Sequence, residues 1–123
     1  MAETFSAKAA ADLSAVQYHI MRLSAANTVN VASLTTVTGI CGVLQNKPQS
    51  GEAGAIAYLG QGRVGAGGAI TAGVHVTCNG SGRAATANSG DMIVGQALEA
   101  AGADGDIIDV LYKPPVKWFG TNS

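Results

Sequence analysis

From Val16 to Tyr112 the chain runs in short stretches of apolar or β-branched residues, broken by Gly, Asn and Ser every eight to twelve positions. Runs of that length and spacing predict short strands joined by turns. The pattern places strands over 16–23, 28–32, 38–45, 54–59, 63–67, 74–78, 83–87, 92–99 and 106–112. Such a series predicts an all-β fold, a small β-barrel or β-sandwich. Asn79-Gly80-Ser81-Gly82 reads as a hairpin turn, because Asn-Gly supplies the positive φ angles such turns need. Residues 100–105 read as a looser loop.

The two ends depart from this pattern. Residues 1–15 predict an N-terminal arm, compatible with a short helix or an extended segment. Residues 113–123 predict a C-terminal tail, leaving 16–112 as the single barrel or sandwich domain. Pro114 and Pro115 cannot extend a helix or join a central strand ladder. Trp118 and Phe119 follow them, and Phe5 sits in the arm, so three large side chains lie outside the repeating β pattern. They pack back on the barrel or serve as contacts for a partner, as aromatic anchors at interfaces do.

One stretch echoes another. Residues 42–59 and 95–112 each begin with Gly, run through a short strand and a turn, and then carry Gly plus an acid. The pairs are Gly51-Glu52 and Gly105-Asp106, and each stretch ends in a strand carrying Tyr58 or Tyr112. Two similar hairpins predict a pseudo-symmetric barrel.

Gly60-x-Gly62-x-x-Gly65 matches the spacing of a dinucleotide-binding fingerprint. That chemistry needs a strand before the glycines, a helix opening at the third, and an acid about 20 residues further on. Residues 53–59 can supply the strand, but Gly67, Gly68 and Gly73 follow within nine residues of Gly65. Each interior glycine costs a helix roughly 1 kcal/mol against alanine. After Gly65, no acid appears before Asp91. The segment therefore predicts turn and strand, and no cofactor site.

Composition narrows the class. The chain has 123 residues, charged residues make up 12%, and its 22 Ala and 17 Gly leave few large apolar side chains. Net charge is −1, and the seven Lys and Arg are scattered, so the clustered cations of a nucleic-acid footprint are missing. No stretch approaches a membrane-spanning run, and the N-terminus lacks the apolar core of a secretory signal.

Candidate chemistry is sparse. Cys41 and Cys78 lie among apolar neighbours and read as buried thiols, with a disulfide as the alternative. His75 alternates with Val74 and Val76, which turns it away from Cys78. No His or Cys pair has zinc spacing, and the acids from Asp91 to Asp109 lack the EF-hand register. A catalytic site is not expected.

Taken in order, several segments resemble a known family. They are Gly42-Val43-Leu44-Gln45-Asn46-x-Pro48, then Gly51-Glu52, Gly67-Gly68, Gly73, Arg83-Ala84, Gly95-x-Ala97-Leu98-Glu99 and Asp106-Ile107-Ile108. Over residues 12–112 this order and spacing resembles the small capsid cement, or head decoration, proteins of tailed bacteriophages. Val74 stands where that family usually has Asp. The resemblance implies a β-barrel or sandwich on the outside of an icosahedral shell, bound to the major capsid protein, with no active site and no cofactor. A tail or fibre component, or a small-molecule-binding β-barrel, are the rival classes. Because alanine dominates the apolar residues, each monomer gains little from burial, which predicts an oligomer. Three-fold shell positions favour a trimer, with Phe5, Pro114, Pro115, Trp118 and Phe119 as candidate contacts.

Overall fold

The computed structural model describes residues 3–32, 40–79, 81–88 and 91–117, with side chains to 113. It is all-β. Nine strands follow in order: β1 (Glu3–Ala9), β2 (Ile20–Ala25), β3 (Thr28–Val31), β4 (Ile40–Leu44), β5 (Ala53–Gly65), β6 (His75–Cys78), β7 (Ala84–Thr86), β8 (Met92–Ala97) and β9 (Ile107–Lys117).

The first five strands close on themselves. Their order is β1-β3-β2-β4-β5, and β5 returns to pair antiparallel with β1. β1 lies parallel to β3, and the other contacts are antiparallel. This is a five-stranded barrel. Closure removes the unpaired edges that a small open sheet would present. Its interior holds Ala7, Ala9, Leu13, Met21, Val29, Leu44 and Ile56.

The remaining strands repeat this plan. Beyond Leu59, β5 leaves β4 and pairs with β9, and β9-β8-β6-β7 continue the sheet. A parallel bridge from Ala66 to Ala84 closes the second round, as β1 closes on β3 in the first. The registers correspond residue for residue. Ile20, Val43, Ala57 and Thr4 form one row across the first barrel, and His75, Gln96, Leu111 and Gln61 form its counterpart. The turn bonds correspond too. Ala9 exchanges backbone hydrogen bonds with Gly51 and Glu52, and Ala66 does so with Gly105 and Asp106. Tyr18 and His19 bond Leu44, and Gly73 and Val74 bond Ala97. Each interior residue of the first barrel has a buried counterpart: Val64, Ala66, Ile70, Val76, Ala84, Ala97 and Val110.

Three sequence expectations need correction. The stretch 54–59 and the stretch 63–67 are one 13-residue strand. The glycine fingerprint therefore makes no turn; Gly60, at φ 97°, marks where β5 passes from one barrel to the next. Gly62 is small because the Tyr112 ring lies over it: a Cβ there would sit 2.5 Å from that ring. Second, the residues expected as an arm enter the barrel as β1, with Ala7 and Ala9 turned inward. Third, Pro114 and Pro115 lie within β9. β8 pairs there through Ile93–Val116 and Gly95–Tyr112, with a register shift between. That irregularity leaves the prolines out of the β8–β9 register, as residues lacking an N–H require. Trp118 and Phe119 lie outside the described residues.

Candidate interaction surface

The family-motif residues build the two equivalent hairpins. Gly42, at φ 151°, brings β4 so close to β5 that a Cβ would sit 2.3 Å from the Ala57 carbonyl oxygen. Gly95 repeats this on β8, 2.5 Å from the Leu111 carbonyl oxygen. Val43 and Leu44 are fully buried. Asn46 ties the hairpin legs together: its Nδ2 donates to the Ala53 carbonyl, and its Oδ1 accepts from the Ala55 N–H. Pro48 is buried, and its carbonyl accepts from Leu13 N–H. Glu52 accepts the Gln49 N–H at 2.7 Å, and Asp106 accepts the Ala103 and Gly102 N–H groups. Each acid thus closes the turn that follows the first strand of its hairpin, just after a glycine at positive φ.

The acidic stretch is spent in the same way. Glu99 accepts from Asp109 N–H, Asp104 pairs with Arg83 at 2.6 Å, and Asp109 lies 3.8 Å from Arg63. No group of metal-ligating side chains gathers among the described residues. Cys41 and Cys78 are not in disulfides. Cys41 is half-buried rather than buried, it donates to the Met21 carbonyl, and burial pushes its thiol up to about 11. His19 is lowered below its ordinary value, chiefly by burial. The Cys41 thiol is therefore protonated at pH 7 and is not the thiolate that acts as a nucleophile.

Tyr112 joins the two barrels. Its hydroxyl donates to the Arg63 carbonyl and accepts from Gln45 Nε2 at 3.0 Å, so a residue of the first hairpin reaches the second barrel. Burial pushes the phenol up to about 12. Gly82, at φ 79°, presses against Val31, and its carbonyl accepts from Ile20 N–H at 2.6 Å.

Five large apolar side chains remain exposed among the described residues, four of them on or beside neighbouring strands. Leu59, Leu98, Ile107 and Leu111 are exposed large hydrophobics on or beside β5, β8 and β9, and Leu23 lies apart on β2. Gln61 and Gln96 flank Leu111, and the Arg63–Asp109 pair lies next to it. In the first barrel, the Phe5 and Tyr58 rings lie 5.9 Å apart between centroids, tilted at 53° and both half-buried. The sequence pattern singled out Phe5; the leucines went unnoticed because alternation alone does not say which face of a strand stays wet.

The profile of the phage cement protein family matches residues 15–112. The chain belongs to the phage cement protein family. It is thus a phage structural protein, associated with the capsid and a component of the virion. Among solved structures, it is similar to the N base of head fiber gp8.5 of bacteriophage phi29. That match has a TM-score of 0.69 at 20% identity, over 95% of this chain and 99% of that one. At this identity the likeness concerns the fold. No curated protein matches the sequence.

Proposed function

We propose that this cement protein decorates the outer surface of a tailed-phage capsid by binding the lattice of its major capsid protein, and stabilises the shell. The observation that carries this reading is the family match over almost the whole described domain. The surface supports it. Glu52 and Glu99 are held by backbone N–H groups and Tyr112 is held between the barrels, while leucines face outward. A ligand that binds the assembled shell and not the free subunits stabilises the shell by mass action. Repetition over a lattice multiplies weak contacts through effective concentration. We propose a trimer as the bound unit, with Phe5 and the Pro114–Phe119 segment contributing contacts. The likeness to the base of a head fiber favours a second reading, in which the two barrels seat a fibre on the head.

Adding purified protein to shells that lack it tests the first reading. Saturable binding at a fixed number of copies per shell, with a higher shell rupture temperature, is expected. Unchanged rupture temperature at saturation would refute the stabilising role.

A further inference from the structure

The two barrels repeat, and the surfaces through which they meet repeat with them, each with a counterpart that is partly exposed among the described residues. In the first barrel the row Ile20–Val43–Ala57 is fully buried. It lies in one apolar cluster with residues of the second barrel, including Tyr112. The register makes His75–Gln96–Leu111 the counterpart row, and there Leu111 remains 38% exposed. Leu98, the counterpart of Gln45, is 45% exposed beside it. On the other side of the contact, the second barrel presents Tyr112 over Gly62. The counterpart in the first barrel is Tyr58 beside Phe5, an aromatic pair that is half-buried.

We infer that a second copy of this chain docks head-to-tail on the first, its Phe5–Tyr58 pair against the Leu98–Leu111 face. The contact continues the packing that already joins the two barrels within a chain. Both halves suit it: two half-buried aromatic rings on one side, and exposed leucines flanked by Gln61 and Gln96 on the other. Aromatic anchors against apolar side chains, with polar groups at the rim, are the usual anatomy of an interface. Because the two patches differ, the contact is heterologous. It closes into a ring if the rotation allows, and otherwise extends as a filament. The inference refines how copies meet in the oligomer of the proposed function, and it holds whichever partner that oligomer binds.

The test uses the protein alone, so that its failure is separate from failure to bind a shell. One variant carries Leu98→Ser and Leu111→Thr; the other carries Phe5→Ser and Tyr58→Thr. Circular dichroism and thermal melts confirm that each folds. Milder variants, Leu98→Ser alone and Tyr58→Phe with Phe5→Leu, replace any that do not. By analytical ultracentrifugation the wild type should self-associate, and each folded variant alone should sediment as a monomer. An equimolar mixture of the two should give a heterodimer that grows no further, since one good patch of each kind survives. A monomeric wild type at the highest soluble concentration overturns the inference. So does a mixture that stays monomeric, or variants that assemble like the wild type. If the wild type is monomeric and the leucine variant loses shell binding, the face belongs to the capsid protein instead.

Discussion

Tyr112 shows how much one side chain can join. It covers Gly62, donates to the Arg63 carbonyl and takes a hydrogen bond from Gln45 across the barrels. Burial is the main reason its phenol is pushed from 10.0 up to about 12; the Gln45 amide, donating to the phenol oxygen, acts the other way. The fold therefore favours the neutral phenol. Its contribution to stability is full below pH 10 and is lost as pH rises through about 12. Tyr112→Phe should lose about 1–2 kcal/mol at neutral pH, the cost of a buried hydrogen-bond partner. Its denaturant midpoint should also fall less steeply across that alkaline window than the wild type's. Equal steepness in both proteins would show that another group carries the alkaline loss. Tyr112 ended a candidate strand in the sequence, but nothing there pointed to Gln45, because the two meet only once the hairpins are stacked.

At the scale of elements, the two hairpins at 42–59 and 95–112 were legible as an echo, and they are equivalent: β4 with β5, β8 with β9. The rest of the repeat was not legible. Its counterparts keep position and change size, as with Met21 and Val76 or Leu44 and Ala97, so no motif survives. β1 was hidden for a related reason. Its inward residues after Phe5 are Ala7 and Ala9, too small to give a strong period-two signal. The continuity of β5 was masked by glycines that look like turn formers. They are there for space and for the Gly60 bend between barrels. Close strand approach gives a test. Gly95→Ala places a Cβ 2.5 Å from the Leu111 carbonyl oxygen, so backbone must move. Overpacking of this kind costs about 1–3 kcal/mol. Gly68→Ala meets nothing within 4 Å and should be near neutral. Urea midpoints of both variants decide it; equal midpoints would contradict the close packing of β8 on β9.

The whole molecule is two small barrels threaded on one long strand, with their largest apolar cluster spanning both. Neither barrel has much to bury alone, since alanine fills many interior positions, and at about 25 cal/mol per Å² small side chains contribute little. Stacking the barrels supplies the missing area. Association between copies would extend the same solution outward, to the leucines that stacking within the chain leaves uncovered. That is the design of a tile: turns held by their own acids, and apolar contact offered to neighbours. The most direct test of this role is where the protein sits on the particle. Cryo-electron microscopy of virions, with and without a bulky tag on the chain, should show the tag repeated over the outer face of the capsid lattice. Tag density confined to the tail, with an undecorated shell, would contradict the account.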